Sequence, residues 1–334
     1  MEIKRNIYLN KLISKKHNGL IKVVTGIRRC GKSYLLFNLF KDHLLAEGVN
    51  PRHIIEIAFD SFENKKFRDP DVLYPYMKEQ IQDEDMYYVL LDEVQLLDEF
   101  EAVLNSLIRM KNVDIYVTGS NSKLLSQDVM TAFRGRGDQV QVFPLSFKEY
   151  YDFVGGDKSE VYELYALYGG MPQLLSFKRD EEKVKYLKNL FSEVYFKDIS
   201  ERYIVKLPDV LTELTDDLCS SVGSLTNAKK IADTLESVKN IKASTSTIAK
   251  YLEYLIESFM FSEAKRYDVK GKKYFEYPLK YYCTDVGLRN ARLNFRQQEE
   301  THIMENIIYN ELIIRGYSVD VGVVEIIENA EGKK

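Results

Sequence analysis

"TGIRRCGKS", residues 25–33, is the stretch on which the reading of this chain turns. It fits the pattern G-x-x-x-x-G-K-[ST] at Gly26, Gly31, Lys32 and Ser33. So short a pattern also arises by chance, and the flanking residues decide between the two. Before it, "LIKVV" (20–24) is an apolar run rich in β-branched residues, as in a buried parallel strand. After it, Leu35, Leu36, Leu39, Phe40 and Leu44 recur at helical spacing on one face, and Gly48 stands where a helix would stop. A glycine-bearing turn between strand and helix points backbone N–H groups and the helix N-terminus at an anion. Gly26, Ile27, Arg28, Arg29, Cys30, Gly31, Lys32, Ser33 and Tyr34 are thus candidates for holding a nucleotide. Lys32 would neutralise the β- and γ-phosphates, and the Ser33 hydroxyl would ligate Mg²⁺. A thiol near a helix N-terminus has a lowered pKa, so Cys30 would suit an oxidation switch; the plainer reading is a spacer.

Hydrolysis needs a metal ligand and a group that activates water. "MYYVLLDEVQ" (86–95) ends an apolar strand in Asp92 and Glu93. An acid at the carboxyl end of a parallel strand faces the ligand crevice. Asp92 would hold Mg²⁺, and Glu93 would act as general base on the attacking water. Three further strands are expected, in "HIIEIAF" (53–59), "VDIYVTGSN" (113–121) and "DQVQVFPLSF" (138–147), with helical segments between. This order predicts a doubly wound α/β domain with a parallel sheet of five strands. Ser120 or Asn121, at the end of the fourth strand, would hydrogen-bond the γ-phosphate or the lytic water. Arg134 and Arg136, in "FRGRG" (133–137), are planar cations suited to phosphate. Either would serve a neighbouring subunit's site as an arginine finger in a homo-oligomer, Arg136 being favoured because it lies nearer the strand.

Composition excludes several classes. The 334 residues carry a net charge of −4, so a nucleic-acid surface must be local rather than global. No apolar run approaches the roughly 18 residues that span a bilayer, and the N-terminus lacks the apolar region of a signal peptide. Three scattered cysteines, without C-x-x-C, argue against a disulfide framework or zinc site and suit a reducing cytoplasm. The four histidines make no metal-ligand spacing in sequence.

Five stretches together, "TGIRRCGKS", "YYVLLDEVQ", "VTGSNSKLL", "FRGRGDQVQVFPLSFKEY" and "YGGMPQLL", resemble a large bacterial and archaeal family of AAA-type ATPases, in that family's order and over nearly the whole chain. "PLSF-x-E" followed by "YGGMP" is the most specific part. The resemblance implies ATP and Mg²⁺, a P-loop fold with an additional strand, and a winged-helix region after it. The residues support ATP only negatively, through the absence of the N-K-x-D guanine motif.

The expected organisation is a P-loop AAA-type ATPase domain (1–150), a helical linker or lid (151–215), a winged-helix domain (216–290) and the start of a further domain (291–334). "LTNAKKIADTLE" (225–236) and "ASTSTIAKYLEYLIES" (243–258) read as two helices, followed by a strand, a basic turn and a strand over 259–285, which is winged-helix order. Lys265, Arg266, Lys270, Lys272, Lys273 and Lys280, set among tyrosines, offer double-stranded DNA a basic, aromatic surface; solvated hairpin lysines are the plainer reading. The helix and strand over 302–325 begin, by the same resemblance, a restriction-endonuclease-like fold in which Glu311 or Glu305 would be the helix acid. The later acids of that site are missing here, so the domain reads as truncated and the nuclease site as unassembled. Two functions follow: an Mg-ATPase that moves its winged helix, or an ATP-switched DNA-binding regulator with little turnover.

Overall fold

The computed structural model describes residues 3–119, 133, 135–192, 199–200, 203–268, 273–296 and 299–323, with the backbone alone for 268, 273–277 and 323. The chain packs as two compact units. The first comprises residues 1–162, 170–178 and 257–259, and the second the remainder.

The first unit is built on five parallel strands: β1 (Ile21–Thr25), β2 (Ile54–Ala58), β3 (Tyr87–Asp92), β4 (Val113–Gly119) and β5 (Gly137–Gln141), in the order β2-β3-β4-β1-β5. β4 is thus inserted between the P-loop strand β1 and the acidic strand β3. The register aligns Ile57, Leu91, Val117 and Val23 in one row across the sheet. Because side chains alternate along a strand, that row and the one two residues earlier (Ile55, Val89, Ile115, Ile21) face the same way. They pack on Leu73 and Met77 of the Pro70–Gln80 helix and on Val103, Leu104 and Leu107 of the Phe100–Leu107 helix. The opposite face is covered by a helical run after the P-loop, α over Lys32–Tyr34, π over Leu35–Phe40 and α over Lys41–Ala46, whose Phe40 ring lies 4.4 Å from that of Tyr116. With both faces covered, this is a doubly wound P-loop NTPase sheet, and the expected five strands are present. The fifth is shorter than expected, because after Gln141 the chain turns toward Pro144.

The face opposite the apolar rows buries a charge. Lys22, fully buried on β1, pairs with Asp114 on β4, donates to Leu20 O at 2.8 Å and lies 4.6 Å from the Tyr116 ring centroid. The Tyr116 hydroxyl donates to Asp114 Oδ2 at 2.9 Å. Burial lowers the Lys22 pKa and Asp114 opposes that shift. Removing one partner of a buried pair strands the other.

The second unit carries a four-stranded sheet in the order β6-β8-β7-β9: β6 (Leu225–Thr226), β7 (Phe261–Asp268), β8 (Lys273–Cys283) and β9 (Val321–Val323). β7 and β8 form an antiparallel hairpin with a register shift between Ala264 and Arg266, and β9 runs parallel to β7. Helices over Pro208–Ser220, Ala228–Lys239 and Thr245–Glu257 bury their apolar stripes, the last through Ile248, Tyr251, Leu252 and Leu255. The helix expected from 225 begins three residues later. Leu225 and Thr226 pair with β8 instead, and Asn227 caps the helix by accepting from Lys230 N at 2.8 Å. The last described helix, Glu300–Ile314, precedes β9. No described helix is long and apolar enough to cross a membrane.

Lys22→Met is expected to cost about 3–5 kcal/mol by leaving the Asp114 carboxylate unpaired, and Lys22→Met/Asp114→Asn to regain most of it; urea unfolding of the single and double variants measures the difference.

Candidate nucleotide-binding site

Where β1 ends, Val142 N donates to Thr25 O at 2.7 Å, bringing the chain after β5 hard against the loop. Gly26 tolerates this only because it lacks a side chain. A Cβ there would lie 2.0 Å from Val142 O, and its φ of +142° disfavours any other residue. Ile27 and Cys30 face inward and are buried, while Arg28 and Arg29 are exposed, Arg29 in the left-handed region at φ 66°. Lys32 is buried at 4% exposure, and its Nζ donates to Gly26 O at 3.0 Å and Ile27 O at 3.2 Å. The ammonium therefore sits across the loop's own carbonyls. The Cys30 Sγ donates to Val142 O at 3.4 Å. Burial pushes its thiol up, against the opposing charges of Lys32 and Arg5. Burial thus favours the plainer reading of Cys30 as a spacer over an oxidation switch.

The acidic strand meets the loop through hydroxyls. Ser33 Oγ donates to Asp92 Oδ2 at 2.8 Å, and Thr118 Oγ1, on the intervening strand, donates to Asp92 Oδ1. The same Thr118 oxygen accepts the Glu93 N–H at 3.1 Å. Asp92 is 4% exposed. Burial raises its pKa, the hydroxyl donors of Thr118 and Ser33 pull it back, and the charge of Glu93 raises it further. Glu93 is half-buried, with a left-handed backbone at φ 54°, and its carboxylate accepts from Gln95 Nε2. A buried carboxylate oxygen beside a serine hydroxyl is a hard-oxygen donor set, which fits Mg²⁺.

Thr118 and Gln95 were not foreseen. The only signal for Thr118 was its place beside the polar cluster at the end of "VTGSN"; its alignment with Asp92 across the strand pair is a matter of register. Ser120, Asn121 and Arg134 lie outside the described residues. Arg136 directly precedes β5, and its carbonyl accepts Ile21 N at 2.7 Å. That is the amino end of β1, roughly 13 Å along the strand from the P-loop end. The fold thus sets Arg136 at the far end of the sheet from its own P-loop.

Behind the loop, Arg5 is 2% exposed and binds three separate segments. Its Nε donates to Glu149 Oε1 at 3.0 Å, Nη1 to Cys30 O at 2.9 Å and Nη2 to Phe143 O at 2.6 Å. Glu149 also closes a capping box with Ser146 at the head of the Phe147–Val154 helix. Leu145 N donates to Gly170 O at 2.7 Å, and a Cβ on Gly170 would lie 2.1 Å from Leu145 O. "PLSFKE" and the end of "YGGMP" are therefore packed together. Beside them a cavity of about 340 Å³ is lined by Arg5, Gly31, Tyr34, Leu145, Pro172 and Leu175 among others.

In the second unit, Lys265 is exposed and Arg266 half-buried. Lys270 and Lys272, and the Lys273 side chain, lie outside the described residues. Lys280 is not free for a ligand: its Nζ donates to Glu305 Oε1 at 2.8 Å, which also accepts the Tyr282 hydroxyl at 2.6 Å. Glu311 pairs with Arg315 one helical turn on. Both candidate helix acids are thus engaged with protein donors. Histidine spacing in sequence hid one cluster. His53 Nε2 lies 3.1 Å from Asp83 Oδ2, and these two with Asp85 have ligand atoms within 4.8 Å of one another, at the amino ends of β2 and β3.

Over 327 residues the chain is 36% identical to an uncharacterized protein of Haemophilus influenzae, covering 96% of this chain and 81% of that protein. Residues 18–151 match the family model described as "AAA domain". The chain thus carries an AAA domain over residues 18–151. A second relative, an uncharacterized protein of Methanocaldococcus jannaschii, is 28% identical over 331 residues (94% of this chain, 70% of that protein). Residues 159–299 match a domain of unknown function (DUF8612). Among solved structures, the Aeropyrum pernix ORC1 protein in complex with DNA aligns at TM-score 0.35 and 11% identity over 94% of each chain. Cdc6p of Pyrobaculum aerophilum aligns at 0.36 and 10%, over 92% of this chain and 96% of that one. Likenesses this slight carry nothing further.

Thr118→Val keeps the side-chain shape but removes one donor to a buried carboxylate and one acceptor for Glu93 N–H. A loss of about 1–3 kcal/mol is expected, with Thr118→Ser near wild type, read from denaturant midpoints.

Proposed function

We propose that this AAA protein binds and hydrolyses ATP with Mg²⁺, and that the cycle moves its second unit. The observation that carries the reading is the chain of contacts Ser33–Asp92–Thr118–Glu93 beside Lys32. It brings Ser33, Asp92 and Glu93 together at the carboxyl ends of the strands, next to Lys32, in the positions this reading needs for metal ligands, base and phosphate cation. Bound Mg²⁺ would supply charge neutralisation at the phosphates. Ser33 and Asp92 would hold it, and Lys32 would leave the loop carbonyls for the β- and γ-phosphate oxygens. Glu93, held at a strained backbone by Thr118 and oriented by Gln95, would take the proton from water. Ser120 or Asn121 would hydrogen-bond the γ-phosphate or that water. The cavity beside Gly31 and Tyr34 has the size and partly apolar lining for a base, and ATP is the proposed nucleotide.

For the second unit we propose a winged helix. Its support is the element order of a helix (Pro208–Ser220), a short strand, two helices (Ala228–Lys239, Thr245–Glu257) and a hairpin whose second strand pairs with the short one. The domain limits proposed with that reading are 1–150, 151–215, 216–290 and 291–334. The alternative, an ATP-switched DNA binder, is favoured by the exposed Lys265 on the hairpin. The commitment of Lys280 to Glu305 weighs against it.

Glu93→Gln should bind ATP while turnover falls about 10²- to 10⁴-fold, whereas Lys32→Ala should lose a few kcal/mol of ATP affinity, about 2 or more. Calorimetry and phosphate release measure these, and normal hydrolysis by Glu93→Gln would place the base elsewhere.

Arg136, at the sheet end remote from its own P-loop, is proposed to complete a neighbouring subunit's site. Arg136→Ala should spare ATP binding, lower turnover, and be rescued by mixing with inactive Glu93→Gln subunits. Specific activity independent of protein concentration, with no rescue, rules the shared site out.

A further inference from the structure

We propose that Arg5 is a positioning residue for phosphate binding: by gripping the Cys30 carbonyl, it aims the Gly31 N–H into the P-loop. The inference rests on the nucleotide-binding reading above. It concerns a residue 26 positions before the loop glycine in sequence, outside the G-x-x-x-x-G-K-S pattern.

Across a trans peptide, the C=O and the following N–H point in opposite directions. Cys30 O is turned onto Arg5 Nη1 at 2.9 Å, so the N–H of the same peptide, that of Gly31, is turned away from Arg5; a phosphate loop holds its anion on the side its N–H groups face. The peptide could adopt the opposite orientation, because Gly31 is permissive on one side of it and nothing in a short loop fixes the plane by itself. Arg5 removes that freedom. Its guanidinium is itself immobilised. Nη2 donates to Phe143 O at 2.6 Å, Nε to Glu149 Oε1 at 3.0 Å, and Cζ lies 4.6 Å from the Tyr8 ring centroid. Glu149 is fixed in turn by Ser146 N, which donates to its second oxygen at 2.9 Å. A planar fork with divergent donors suits this task, whereas a lysine offers one point of attachment. The guanidinium also places positive charge at the carbonyl end of the peptide dipole, which strengthens the N–H as a donor. The buried ion pair thus fixes the direction of one phosphate-binding donor from outside the loop. As an ion pair alone it would be a weak stabiliser.

The test uses the full chain labelled with ¹⁵N-glycine. In the wild type, ADP should shift the Gly31 amide resonance strongly downfield; an unmoved Gly31 amide in protein that binds ADP overturns the proposal with no variant needed. Two variants follow. Arg5→Lys keeps the buried charge paired but cannot span Cys30 O, Phe143 O and Glu149 together. Arg5→Gln/Glu149→Gln removes both charges and so leaves neither stranded. Where each folds, judged by thermal unfolding without nucleotide, the Kd for ADP should rise at least about tenfold, with the Gly31 response diminished. Folded variants that bind ADP within about twofold of wild type, or that lose affinity with the Gly31 response intact, overturn it. A wild type that binds no nucleotide refutes the nucleotide-binding reading itself, which separates that failure from failure of the Arg5 role.

Discussion

The Asp92 carboxylate and the hydroxyls that hold it are the contact on which the first unit depends. β4 lies between β1 and β3, so the P-loop strand and the acidic strand stand about 10 Å apart, two inter-strand spacings. Ser33 crosses that gap to one Asp92 oxygen from the first turn of the helix, and Thr118, on the intervening β4, holds the other. Burial of Asp92 disfavours its charge, and these donors offset part of that cost. The arrangement requires Asp92 and Thr118 to lie level, which the apolar row Ile57–Leu91–Val117–Val23 secures one residue earlier. A slip of one residue would turn Asp92 to the opposite face. Core packing and site geometry are therefore one constraint on register.

A second constraint acts from behind the loop. Val142 O closes on Gly26, Arg5 on Cys30 O, and Gly170 on Leu145. The residues that give "PLSF-x-E" and "YGGMP" their specificity have a physical reading here. Ser146 and Glu149 cap a helix while Glu149 neutralises Arg5, and Gly170 is required by the approach of a carbonyl. Cys30 belongs to the same layer. Its burial beneath the loop makes it packing material, and its thiol is correspondingly hard to ionise.

The second unit uses its charges differently. Lys280 and Tyr282 converge on Glu305, and Arg315 on Glu311, so acids that a sequence presents as candidate ligands are held by neighbouring donors. Three of the hairpin's cations are not described by side chain, and of the other three only Lys265 is exposed.

By itself the sequence determined the parts that obey local rules. The apolar, β-branched runs of β1 to β4, the helical stripe after Ser33, the glycines of the P-loop and the acids at the end of β3 are each dictated by backbone geometry within a few residues. They made the α/β class and the candidate site of Lys32, Ser33, Asp92 and Glu93 legible. The expected helix start falls short because Leu225 and Thr226 pair instead with Lys280 and Leu279, 55 and 53 residues away. Only the tertiary structure decided that β4 separates β1 from β3, that Thr118 holds Asp92, that Arg5 and Glu149 meet 144 residues apart, and that Lys22 is buried against Asp114. These are contacts between side chains remote in sequence. Their partners are chosen by strand order and register, and no local propensity or spacing records either.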